Sequence, residues 1–143
     1  MSKLLINNQN KVLINSNRKA LAVSGNIKIR IDSTRIYAWI NSSNAWVSAN
    51  DSYSILIPVT KGVQYRMRFT TTDSNVVGSI FRWGFTDNST AQSQTLDSCN
   101  RTSPQDTPTV TVTATKKYLV VQMGSTVADK NINENKFIVE AII

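Results

Sequence analysis

Histidine is absent from this chain and cysteine occurs once, at Cys99. The first absence removes the side chain most used to move protons near neutral pH and the commonest metal ligand, so Ser-His and Cys-His nucleophilic chemistry is excluded. The second excludes an intrachain disulfide and an ordinary structural zinc site. Stability must come from packing and backbone ladders, which fits assembly in a reducing cytoplasm. Charged residues make up 17% of the sequence, below the typical share of about 25%. No apolar run approaches the length of a membrane span, so no membrane insertion is expected. Lys11, Arg18 and Lys19 interrupt the apolar runs near the start, so residues 1–22 do not read as a signal peptide.

Ser, Thr and Asn supply the missing polarity. Their hydroxyl and amide groups compete with helical backbone bonds, and Thr sits well on a pleated surface, so strands and turns are favoured over helix. The clearest stretch is SILIPVTKGVQYRMRF at 54–69, two alternating runs joined by Pro58 and the Lys61-Gly62 turn. Val63, Tyr65, Met67 and Phe69 share one face and Gln64, Arg66 and Arg68 the other, the period of two that marks a half-buried strand. NIKIRID, TRIYAWI, AWV, SIFRWGF, TVTVTA, KKYLVVQM and KFIVEAII add short runs bounded by polar turns, with Asn50-Asp51 read as one such turn. Roughly eight to ten strands in a chain of 143 residues, long enough to hide roughly 70% of its extended surface, predict an all-β fold. The expected form is an antiparallel two-sheet sandwich, jelly-roll-like, with a short N-terminal hairpin or meander.

Two parts stand out from that rhythm. Residues 1–23 repeat small apolar runs, LLIN, VLIN and ALAV, separated by Asn-rich turns. A unit so small is marginal alone and must pack on something, either on the sandwich domain at 24–143 or, as an attachment arm, on another copy or protein through Leu4, Leu5, Ile6, Val12, Leu13 and Ile14. Residues 86–108 lack apolar rhythm and read as a binding loop or as a surface excursion covering one open end of the sandwich.

Paired catalytic carboxylates find no local motif. The aspartates fall mostly in turns, where they satisfy backbone amides. Asp73, Asn75, Asp87 and Asn88 offer oxygens without the spacing of a calcium loop. No cofactor and no metal site are expected, and the chain reads as non-enzymatic. Its +7 charge favours an anionic partner. The basic residues are nonetheless spread mostly singly, with Lys28/Arg30 and Arg66/Arg68 as pairs on polar strand faces, which argues against a nucleic-acid partner.

The aromatics pose the sharper question. In RIYAWIN, Arg35, Tyr37 and Trp39 share a face opposite Ile36, Ala38 and Ile40, and either face could be the buried one. In SIFRWGF, Phe81, Trp83 and Phe85 share a face that reads as core. Trp46 lies among Ser42, Ser43, Asn44, Asn50 and Asp51 and is the best candidate for a surface ring that stacks on a sugar. The candidate glycan site is Trp46, Trp39, Tyr37, Asn44 and Asp51.

YSILIPVTKGVQYRMRF with KKYLVVQMG resembles the β-sandwich modules of phage tail and capsid proteins and of carbohydrate-binding, galactose-binding-like domains. NKVLINSNRKALAV is similar to the short Asn/Lys-rich opening strands of small phage virion proteins. The resemblance covers most of the chain, except residues 86–108, and carries over no ligand-binding residue. It implies a virion accessory protein of the capsid-decoration, head-fibre or baseplate kind, a homo-oligomer held to other virion proteins and touching host polysaccharide. The alternative is a stand-alone carbohydrate-binding module.

Overall fold

A computed structural model describes residues 3–6, 11–14, 26–29, 35–70, 81–103, 107–123 and 137–142. They form strands and turns with no helix, arranged as the expected antiparallel sandwich. The smaller sheet runs in the order β10 (Thr109–Thr113), β6 (Gln64–Phe69), β12 (Phe137–Ile142) and β3 (Asn26–Ile29). The larger runs β4 (Arg35–Ile40), β5 (Ala45–Pro58), β11 (Tyr118–Met123), β7 (Phe81–Thr86) and β9 (Asp97–Thr102), with β8 (Gln94–Thr95) paired to β5. β1 (Lys3–Ile6) and β2 (Lys11–Ile14) form a separate two-stranded ladder. The ALAV run of the expected meander lies outside the described residues.

Alternation explains the main core. Tyr65, Met67 and Phe69 of β6 and Phe137, Val139 and Ala141 of β12 meet Phe81, Trp83 and Phe85 of β7 and Leu119 and Val121 of β11 between the sheets. Phe81 makes edge-type contacts with Phe69 and Phe137, with ring centroids 5.0 and 5.8 Å apart. The Tyr65 hydroxyl accepts from the Thr60 amide at 2.7 Å, so a buried aromatic keeps its polar end satisfied. The turn after β5 closes with the Val63 amide donating to the Thr60 carbonyl at 3.1 Å, and Gly62 holds φ +88°, a conformation that favours glycine.

The larger sheet has a second core on its outer face, made of Ala38, Ile40, Trp46, Leu96 and Val120. Two features missed by sequence reasoning build it. AWV and SILIPV, read as separate strands around an Asn50-Asp51 turn, belong to one strand of 14 residues, β5. Its register against β4 jumps from Tyr37↔Tyr53 to Ala38↔Ser48, leaving residues 49–52 as an excursion. The turn signal was real and appears as an interruption of pairing. Beyond it, the end of the β4–β5 hairpin lies over β11 and β7. The Ile40 amide donates to Gln122 Oε1 at 2.6 Å, and Arg82 Nη1 donates to the Ile40 and Asn41 carbonyls at 2.7 and 3.0 Å. The second feature lies within the 86–108 segment, whose described residues carry β8 and the edge strand β9 and place Leu96, with Ala91 and Cys99 beside it, in the outer core.

Candidate binding surfaces

Which face of the TRIYAWI strand is buried is now decided. Ala38 and Ile40 are fully buried, while Tyr37 and Trp39 are 55% and 42% exposed, the large apolar side chains found exposed among the described residues. Sheet register places Tyr53 of β5 directly opposite Tyr37. Their rings lie 4.5 Å apart at 45°, and the Tyr53 hydroxyl donates to the Tyr37 hydroxyl at 2.9 Å. Trp39 follows two residues along, opposite Val47. Tyr37, Tyr53 and Trp39 therefore form an aromatic strip at the edge of the larger sheet. Asp51 is exposed in the 49–52 excursion that interrupts pairing beside Tyr37 and Ala38.

Trp46 does not belong to this strip. It is fully buried in the outer core, and its indole Nε1 donates to Ser54 Oγ at 3.1 Å, while Ser54 donates onward to the Ala38 carbonyl at 2.9 Å. The expectation of a surface ring is corrected: Ser42, Ser43 and Asn44 form the hairpin tip, Asn50 and Asp51 lie in the 49–52 excursion, and the indole packs in the outer core with Leu96. Asn44 is a turn residue at φ 60°, whose carbonyl accepts from the Leu96 amide at 2.9 Å. The Asn41 side chain caps the same turn through the Ser43 and Ala45 amides. Of the five candidate glycan residues, Tyr37 and Trp39 come together with Asp51 alongside. Asn44 marks the far end of the hairpin. Tyr53 was missed because Asn50-Asp51 broke the alternation, although its spacing of two from Ile55 and four from Ile57 placed it on the face of the main core.

The outer face of the smaller sheet is polar. Register sets Thr111, Arg66, Glu140 and Lys28 in one row across its four strands, with Arg68 and Thr109 in the next row. Arg66 donates from Nε and Nη2 to Glu140 Oε2 at 3.1 and 2.6 Å, and Arg68 Nη2 lies 3.5 Å from Glu140 Oε1. Partial burial alone would push the Glu140 carboxyl up. The Arg66 hydrogen bond and the charges of Arg66 and Arg68 outweigh it and hold the group below its ordinary value of 4.5. A carboxyl so depressed stabilises the fold above its unfolded-state pKa, and that contribution is lost as pH falls through the folded value. Because the arginines are over a third exposed, the effect is small. Glu140→Gln should lower stability by less than about 1 kcal/mol at pH 7, and the difference from wild type should shrink progressively as the pH is lowered below the ordinary carboxyl range in a series of urea unfolding curves.

Among the described residues, no group of three or more His, Cys, Asp or Glu side chains is placed to hold a metal. Asp73 and Asn75 lie outside them. Cys99 is half-buried in contact with the outer core, and burial pushes its thiol up while Arg82 partly opposes this, so it is held in the protonated, less nucleophilic form. Among the described residues, no helix is long and apolar enough to cross a membrane. Comparison of the chain with known protein families, curated proteins and solved structures gives no match.

Proposed function

We propose that this protein is a non-enzymatic structural accessory of a phage particle, attached to the capsid or tail by protein–protein contacts and acting as a homo-oligomer. The observation that carries the reading is the β1–β2 ribbon, whose ladder, among the described residues, joins neither sheet of the sandwich. A two-stranded ribbon is marginal in water and gains stability from a surface it docks against. Its sequence, KLLI paired with KVLI, sets Leu4 opposite Leu13 and Leu5 opposite Val12. In sequence, each strand follows a lysine with three consecutive apolar residues, a composition suited to a segment covered by other protein surfaces. Light scattering over a concentration series tests it. The full chain should form a discrete oligomer, and removal of residues 1–23 should reduce it to a monomer. A monomer at every concentration, unchanged by the deletion, would sink the reading.

The aromatic strip favours a second activity in the same protein, contact with neutral sugar rings of a host glycan. Exposed rings offer a pyranose its apolar C–H face, and the hydroxyl pair of Tyr37 and Tyr53 offers donors and acceptors beside it. A glycan array probed with Tyr37→Ala and Trp39→Ala should show losses of about fivefold or more, the factor that corresponds to about 1 kcal/mol of ring contact. Unchanged binding by both variants would remove the strip from the site. A stand-alone carbohydrate-binding module would show the same losses in a protein that stays monomeric.

A further inference from the structure

The outer face of the smaller sheet carries its charge in a specific arrangement. Arg66, Arg68 and Lys28 surround one carboxylate, Glu140, within two adjacent rows of the sheet. Neighbouring strands are about 4.8 Å apart and alternate residues about 7 Å, so three cations share a patch roughly 7 by 10 Å. Both guanidinium groups reach the carboxylate yet remain 36% and 37% exposed, whereas Glu140 is only 13% exposed. The cations are thus half-open to solvent and gathered around a resident anion. Thr109, Thr111 and Thr113 line the adjoining strand with exposed hydroxyls.

We infer that this face binds an acidic polysaccharide, whose carboxylate or sulfate groups engage Arg66, Arg68 and Lys28 and compete with Glu140 for the two arginines. The other anionic partners fit less well. Protein interfaces anchor on aromatic and aliphatic side chains at their centre, and single-stranded nucleic acid stacks its bases on aromatic rings. Among the described residues, this face presents no aromatic ring, and the aliphatic side chains in its rows on β12 are the half-buried Ile138 and Ile142. Among the described residues, this sheet face also presents no helix to enter a duplex groove. A chain that alternates anions with hydroxyls matches guanidinium groups beside threonines, through charge-assisted hydrogen bonds to the anions and neutral ones to the hydroxyls.

Glu140 gives the inference a signature that net charge alone would not produce. Retention and solution affinity are measured on heparin, which carries sulfates, and on polygalacturonate, which carries carboxylates, with neutral dextran as the blank. Glu140→Gln frees both arginines and should tighten binding about fivefold, the worth of one exposed charge contact near 1 kcal/mol. Arg66→Gln with Arg68→Gln should weaken it about tenfold or more and flatten its salt dependence. Lys116→Gln with Lys117→Gln removes the same charge elsewhere and should change it less than twofold. Thermal unfolding establishes that each variant is folded, and Arg68→Gln alone serves if the double arginine variant is not. Equal losses for the arginine and lysine pairs would reduce the effect to bulk charge and overturn the proposal. So would weaker or unaltered binding by Glu140→Gln, or equally tight, arginine-dependent binding of polyglutamate or an oligonucleotide. Tighter binding to heparin than to polygalacturonate, or the reverse, identifies the anion.

Discussion

Replacing Trp46 with alanine should destabilise the protein by about 3 to 5 kcal/mol, the usual cost of deleting a large aromatic from a core. The ring is fully buried against Ala38, Ile40, Leu96 and Val120, and its indole N–H bonds to Ser54 Oγ at 3.1 Å. Alanine would leave a cavity that neighbours on three elements must fill: the β4–β5 hairpin, β11 and the segment carrying Leu96. The hairpin backbone is tied to the Gln122 side chain of β11, to the Arg82 side chain of β7 and, through the Asn44 carbonyl, to the Leu96 amide, so collapse into the void is restricted and the cost should fall toward the upper part of that range. Total stability for a domain is about 5 to 15 kcal/mol, so the variant forfeits a large fraction of it. A solvent-facing tryptophan changed to alanine would shift stability by no more than about 0.5 kcal/mol. The two placements therefore differ several-fold in one urea titration. A midpoint close to wild type would show that the outer core does not hold Trp46 as described. Loss of sugar binding by this variant would say nothing about a sugar platform unless its unfolding were measured too.

The sandwich was legible because its inner faces are written in strict alternation. Residues 63–69 and 81–85 name Tyr65, Met67, Phe69, Phe81, Trp83 and Phe85 as inward-facing, and all six are buried between the sheets. The outer core was not legible, because its members do not alternate with one another. Ala38 and Ile40 come from one strand, Trp46 from beyond a hairpin turn, Val120 from between two inner-core residues, and Leu96 from a stretch of Ser, Thr, Gln and Asp. Local composition around Trp46 describes the turn it adjoins. It carries no information about a segment some 50 residues later that folds across it. Val120 shows the same limit from another side: LVV in KKYLVVQM looks like a continuous apolar run because β11 is covered on both faces, Leu119 and Val121 by one core and Val120 by the other. For the aromatic strip, the pairing of Tyr37 with Trp39 followed from spacing. Its third member, Tyr53, depends on where residues 49–52 leave the ladder, and no period predicts that.

Gly84 shows how closely the late segment is fitted. In an unstrained strand, replacing glycine with alanine gains about 0.4 to 1 kcal/mol by restricting the unfolded chain. Here the sign should reverse. A Cβ at position 84 would lie 2.7 Å from Leu96 Cβ, 3.1 Å from Leu96 Cδ1 and 3.3 Å from Cys99 Cβ. These neighbours are brought close by an irregularity in the β7–β9 pairing, where the register shifts between Trp83↔Asn100 and Phe85↔Asp97 and Ser98 takes φ 50°. The closest of them is bonded directly to its own backbone, so no rotamer change relieves the overlap. The chain at Leu96 has to move, and its amide is held by the Asn44 carbonyl at 2.9 Å. Gly84→Ala should therefore cost about 2 to 3 kcal/mol, in the upper part of the range for overpacking. The companion variant Leu96→Ala retains Cβ, so in its background the same glycine substitution should remain destabilising, with a favourable coupling no larger than about 0.5 kcal/mol in a double-mutant cycle. Leu96→Gly removes the clashing atom, and in that background Gly84→Ala should become neutral or stabilising. If Gly84→Ala stabilises the otherwise unaltered protein, the close approach of the two segments is wrong, and with it the account of how Leu96 packs into the outer core.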